Sequence, residues 1–284
     1  MPLTLLLPLL AQVGPGGALP QAPLPVRPAK TAISQTAPAS PPATILSAEL
    51  QTCLKLAQEN PSDAIDEAEG WLAAAKTMKD KAGAQQCKAL ALTRTEGWAE
   101  AGTLFLAARD NTPANEPGER ARLGALAGNA LLVTGDTTAA LSALDHAHGD
   151  AHTAGDHKLN GVIQIDRARA LVALKRDAEA SAALEEARYE LPDNYQAWLL
   201  SATLSRREGK LGAAQSQIER AAALMPVDPE IGLEAGVIAV LSGRDAAARL
   251  SWQSVIVAAP ASTFAKTAQG YLDQLGPPRA SPAK

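Results

Sequence analysis

Aromatic side chains are scarce in this chain, with four Trp, three Tyr and two Phe among 284 residues. A core with so few of them must gain burial by bringing backbones close together. Alanine, visibly the dominant residue, suits that packing and is also the best helix former. Alternating β-branched runs bounded by turns are few, so strands are not expected. Neither sign of charge dominates: 26 Lys and Arg face 30 Asp and Glu, a net charge of −4. That balance argues against a nucleic-acid partner, which calls for a clearly basic face. No apolar run is long enough for a transmembrane span, which needs about 20 residues. Nucleophile elbow, Gly-rich phosphate loop, paired-cysteine zinc motif and HExxH are all missing, so neither an enzyme nor a cofactor is expected.

The first residues hold a short apolar stretch, "LTLLLPLLA", followed by the small residues "GPGGA". This pattern reads as the hydrophobic region and cleavage zone of a secretory signal over residues 1–18. Against export, the first basic residue is Arg27, whereas a signal ordinarily begins with positive charge. A periplasmic or envelope location follows if the segment is a signal, and a cytoplasmic one otherwise. Residues 19–43 are rich in Pro and Ala, as in an extended linker. The folded part is expected over residues 44–276, with a short disordered tail at 277–284.

Self-similarity organises the rest. Pro192, Pro226 and Pro260 stand 34 residues apart. The same step joins Ala180, Ala214 and Ala248, and also Ala168, Ala202 and Gly236. Leu184, Ile218 and Trp252 keep it, as do Ala187, Ala221 and Val255. The pattern resembles the tetratricopeptide repeat (TPR), whose unit is a helix–turn–helix of this length. "YQAWLLSATLSRREGKLGAAQSQIERAAALMPVD" gives the clearest unit, with Trp198, Ala202, Ala214, Ile218, Ala221 and Pro226 at family positions. Ser201 and Ser205 replace the usual leucine and tyrosine, marking a degenerate member of the bacterial type.

The phase extends upstream through Gly128, Ala140, Leu144 and Ala147, and before them through Ala89, Ala101, Phe105, Ala108 and Pro113. A first helical pair breaks at Asn60–Pro61, with its phase ambiguous. The resemblance implies an all-α, right-handed α-solenoid of about six antiparallel helix pairs. "STFAKTAQGYLDQL" would supply the capping helix that a repeat array needs at its open end.

All four histidines fall in "HAHGDAHTAGDH", residues 146–157. On the repeat map His146 and His148 end a second helix, while His152 and His157 occupy a loosened turn containing Gly149 and Gly155. His146 and His148 would point about 200° apart on a helix. A glycine-rich turn supplies metal-ligand types without the rigid convergence that zinc requires. A solvated turn is therefore expected ahead of a metal site. Cys53 and Cys87 are also 34 apart. In an exported chain they suggest a disulfide stapling the first unit to the second. The alternative is two small buried hydrophobes.

In the family, the first helices of successive units line a concave groove for peptides or partner segments. Carried over by position, that lining comprises Asn129, Asp166, Arg169, Thr203, Arg206, Leu233 and Val237. Arg169 and Arg206 could hold a partner carboxylate with their bidentate forks, or be solubilising charges, or pair with Asp166. The carboxylate clamp of one subfamily is absent, because Ala125, Asp166, Gln196 and Leu200 do not match it. The expected work is that of a non-enzymatic interaction scaffold or adaptor with a protein partner. Two alternatives stand beside it: a metal-binding or enzymatic accessory protein using the histidine cluster, and a structural spacer that self-associates.

Overall fold

A computed structural model describes residues 47–277 of the chain. The apolar segment 1–18, the linker 19–43 and nearly all of the tail 277–284 lie outside the described residues. Among the described residues there are thirteen α-helices and no strand. The first helices of successive pairs are α1 (Ala48–Glu59), α3 (Met78–Arg94), α5 (Pro117–Thr134), α7 (His157–Ala173), α9 (Tyr195–Arg207) and α11 (Pro229–Leu241). Their partners are α2 (Pro61–Ala74), α4 (Trp98–Asn111), α6 (Thr137–Ala154), α8 (Asp177–Glu190), α10 (Leu211–Leu224) and α12 (Asp245–Ala258). A single helix, α13 (Thr263–Leu275), closes the array.

Local chemistry sets the helix starts. Side chains of Ser47, Asp136, Asp156, Asn194, Asp228 and Ser262 accept hydrogen bonds from backbone N–H groups of the first turn. Those donors have no partner inside the helix, so each cap contributes about 1 kcal/mol. Thr77 and Asp80 form a reciprocal capping box at α3, and Pro61, Pro117 and Pro229 occupy first turns, where no N–H is needed. Four pairs turn through one left-handed residue at the same repeat position: Gly135, Lys175, Gly209 and Gly243, all at φ between 60° and 80°. Glu96 takes that role between α3 and α4, at φ 63°.

The repeat period is a packing rule between the two helices of a pair. A Cβ placed on Gly236 would lie 2.5 Å from Trp252 Cδ1, and one on Gly128 would meet the Leu144 side chain. The small residue of the first helix is thus the socket for the bulky residue of the second. Phe105, Leu144, Leu184, Ile218 and Trp252 are all buried in this role. Glycine faces Leu144 and Trp252, and alanine holds the same position opposite Phe105, Leu184 and Ile218. Trp252 also donates from Nε1 to the Leu233 carbonyl at 3.2 Å and packs against Tyr271 in a tilted pair, with ring centroids 5.2 Å apart. Buried alanines fill the remaining spaces, which is how the array dispenses with aromatic bulk.

Neighbouring first helices also touch: α1 meets α3, α5 meets α7, α9 meets α11, and α11 meets α13. Second helices touch one another marginally at most. The array therefore curves toward its first helices, which form the inner face. Every exposed residue of α13 is polar, including Lys266, Gln269 and Asp273.

The histidine stretch departs from expectation. It is not a loosened turn: α6 runs through His146, His148, Gly149 and His152 to Ala154, and His157 opens α7. The extra residues of this unit lengthen both helices by about one turn. α6 has 18 residues against 14 in α8, and α7 has 17 against 13 in α9. Gly149 is tolerated inside the helix because Ala147 and Ala151 on either side of it are buried in the core. Packing outweighs the cost of about 1 kcal/mol that a helical glycine carries.

Candidate partner-binding groove

Three of the groove residues expected from the repeat phase come together around one cavity on the inner face. Asn129 on α5 and Asp166 and Arg169 on α7 line a cavity of about 590 Å³ with Trp98, Leu126, Val133, Val162 and Gln196. Apolar and polar side chains alternate along both inner helices: Leu126 and Val133 flank Asn129 on α5, and Val162 precedes Asp166 and Arg169 on α7. Val133 and Val162 remain 60% and 43% exposed. Thr203, Arg206, Leu233 and Val237 lie further along, on α9 and α11, outside this cavity. Leu233 and Val237 pack partly against the core around Trp252 and Tyr271.

Both arginines already hold a carboxylate of this chain. Arg169 donates to Asp166 one turn before it on α7, and Arg206 Nε donates to Glu234 Oε1 at 2.6 Å across to α11. Asp166 is buried, so removing its arginine would strand a charge away from water. Glu230, one turn before Glu234, is held above the ordinary carboxylate range. Partial burial is the main cause, Asp228 and Glu234 add to it, and Arg169 opposes it. Glu234 escaped the sequence reading, yet the repeat phase marks it: it lies 68 residues after Asp166, two full periods, at the same position of its unit.

The histidine stretch is taken up by separate structural tasks rather than by one site. Asp150 receives Arg109 at 2.7 Å and Arg120 at 3.5 Å, fixing α6 to α4 and α5. Asp156 caps α7. His148 Nδ1–H donates to Asn160 Oδ1 at 2.7 Å, and Asn160 and Gln164 each donate to a different oxygen of Glu186, at 2.6 and 2.5 Å. Burial alone would raise the pKa of Glu186. The two amide donors, with His148 and Arg167 nearby, outweigh that, so its pKa is lowered. His157 Nδ1 lies 3.1 Å from Glu190, while His146 and His152 are exposed. Among the described residues no group of three or more His, Cys, Asp or Glu is placed to hold a metal ion.

Cys53 on α1 and Cys87 on α3 are joined by a disulfide, with their Cα atoms 5.9 Å apart and neither residue exposed. They stand 34 residues apart on neighbouring first helices, and α1 packs closely enough on α3 for the bond to close. No helix among the described residues is long and apolar enough to cross a membrane.

This arrangement of stacked helix pairs, small-residue sockets and an inner face of first helices is the fold of the tetratricopeptide-repeat proteins. Solved structures carry the likeness. PilF of Pseudomonas aeruginosa superposes with a TM-score of 0.63 at 16% identity, covering 79% of this chain and 96% of its own. PilW, described as a widely conserved type IV pilus biogenesis factor, gives 0.63 at 17% identity over 79% and 100%. YrrB, described as a TPR protein with an unusual peptide-binding site, gives 0.51 at 19% identity over 74% and 98%. No family model and no curated protein matches the chain by sequence.

Proposed function

We propose that this chain is a non-enzymatic scaffold that holds a segment of a partner protein against the inner face of its first helices, and that it works in the periplasm or at the cell envelope. The observation that carries the reading is the cavity between α3, α5 and α7, where two valines stay exposed beside Asn129, Asp166 and Arg169. Exposed branched side chains inside a concavity mark a surface whose burial is completed by another molecule. The groove contains no paired nucleophile and base, so recognition is the chemistry it can perform. YrrB supports the reading through its own peptide-binding site. PilW, a pilus biogenesis factor, and the apolar stretch at the start of this chain support the location.

The test is affinity capture from native cells after mild cross-linking, read by mass spectrometry, with the parent chain and Val162→Asp compared. Reversing the arginines is less informative, because both are tied to internal carboxylates and their loss would disturb the fold. A partner held by the parent and lost by Val162→Asp, with unchanged helicity, is the expected result. The same partners captured by both proteins would remove the groove assignment.

A further inference from the structure

We infer that a second cavity, at the amino-terminal edge of the array, is a binding site for an uncharged peptide main chain, and that its occupant is the stretch of this chain leading into α1, residues 41–46. The cavity, of about 170 Å³, lies among the starts of α1, α3 and α5 and the end of α2. Leu50 and Trp71 give it apolar walls, and the Trp71 ring rests on Gly83 of α3. Gln86 also lines it. This residue is only 4% exposed, yet its carboxamide makes no hydrogen bond among the described residues. Side-chain atoms that are both sealed from solvent and unpaired belong to Asp177 and Gln217 alone among the described residues. The Gln86 carboxamide is therefore unpaired without being sealed, and its opening is this cavity. A buried amide left in that state is destabilising until something pairs with it.

The chemistry of that group selects the ligand. A carboxamide offers N–H donors and a carbonyl acceptor together, so a ligand with both is needed to satisfy it. A carboxylate would leave the Gln86 oxygen unpaired and would meet Asp80, Glu116 and Glu119 on the wall, against Lys79 alone. An ammonium group would leave the Gln86 N–H groups unpaired. A main-chain amide supplies both partners and no charge. The charged groups have work within this chain: Lys79 donates to Glu116 at 2.9 Å, Arg122 donates to Glu119, and Asp80 accepts from the Thr77 N–H. Connectivity sets the source. Ser47, the first described residue, lines the cavity, and the residues just before it, "PPATIL", carry no charge and end in two branched apolar side chains. That stretch can reach up to about 20 Å. A tethered segment is present at an effective concentration in the millimolar range, so even a weak site stays filled. The cavity shares no residue with the groove between α3, α5 and α7, and the inference is independent of that reading.

Residue-resolved hydrogen exchange of the full chain, followed by nuclear magnetic resonance, compares the parent with Gln86→Leu, which keeps the side-chain volume and removes both hydrogen-bonding groups. Slowed exchange within residues 43–46 is expected in the parent, and a loss of about tenfold in that protection in the variant, the effect of one hydrogen bond. Circular dichroism would verify equal helicity. Because Gln86→Leu alters a buried position, a second variant leaves the fold untouched. In the chain labelled with fluorotryptophan, Ile45→Asp should move the fluorine resonance of Trp71, assigned through Trp71→Phe, and leave those of Trp98, Trp198 and Trp252 in place. Exchange within residues 43–46 that is unslowed in the parent, or equally slow in Gln86→Leu, would overturn the inference. A Trp71 resonance indifferent to Ile45→Asp would do the same. A Trp71 resonance that moves only when an uncharged peptide of unrelated sequence is added would overturn the assignment to residues 41–46 in favour of a partner's segment.

Discussion

Gly236 and Gly270 occupy the same repeat position one period apart, and the structure predicts opposite outcomes for the same substitution. At Gly236→Ala the new methyl would sit 2.5 Å from both Cδ1 and Cε2 of Trp252, a buried ring held by a hydrogen bond to Leu233 and by a tilted contact with Tyr271. Overpacking of this kind costs about 1–3 kcal/mol, and displacing the indole from its acceptor adds about 1 kcal/mol. Replacing a helical glycine returns about 1 kcal/mol, leaving a net loss of about 1–3 kcal/mol. At Gly270→Ala nothing lies within 4 Å of the new methyl, so only the helix term acts and stability rises by about 1 kcal/mol. Urea unfolding followed by circular dichroism should separate the two variants by about 2–4 kcal/mol. Adding Trp252→Leu to Gly236→Ala recreates the alanine and leucine pair of the α7–α8 unit, and the two changes should couple favourably. Equal effects at the two glycines, or additivity in the double variant, would refute the socket argument.

Replacing Cys87 with Ala should lower stability by about 2–4 kcal/mol, and hydrogen exchange should place the loss in α1 and α2 rather than across the array. Lys175→Gly relieves a left-handed residue where the next two units use glycine. It should be neutral or stabilising by up to about 1 kcal/mol, while Gly209→Ala should cost about 1–2 kcal/mol, both by thermal unfolding. Glu186 titrates below its ordinary value in the folded state. Its contribution is therefore complete above the usual glutamate pKa of about 4.3 and is lost as pH falls through the lowered folded value. Glu186→Gln should be less stable than the parent at neutral pH, with the gap closing on acidification. A gap that stays constant with pH would exclude the charged form as the stabilising species.

The fold was legible because each repeat position does one mechanical job. Glycine or alanine opposite a bulky residue, and proline after the second helix, follow from packing and backbone chemistry, so they recur at a fixed step. The histidine stretch was misread for the opposite reason. Gly149 and Gly155 both look like turn residues, yet only Gly155 is in the left-handed conformation that ends a helix. Buried Ala147 and Ala151 hold α6 together across Gly149, a tertiary effect that local propensity does not contain. The groove lay between these cases. The phase placed Asn129, Asp166 and Arg169 on one face, and the structure gathers them around one cavity. It could not give the partners of the arginines, because Arg206 reaches Glu234 on the next first helix, and that pairing depends on how far adjacent units rotate. Cys53 and Cys87 posed the same difficulty: a step of 34 residues places them on neighbouring first helices, but helix separation decides whether they can bond.

The disulfide between α1 and α3 gives the array a direction. In a stack where each unit is held mainly by its neighbours, both ends fray first. Here the amino-terminal unit cannot leave the stack while its first helix is covalently tied to the next. The carboxyl-terminal helix is retained by side-chain packing and a few hydrogen bonds. Under heat, pulling force or protease, the chain should unravel from α13 inward, like a zipper with one stopped end. Cleavage sites would then appear first beyond α11 and advance toward the groove, whose amino-terminal wall, at α3, would be among the last parts to open.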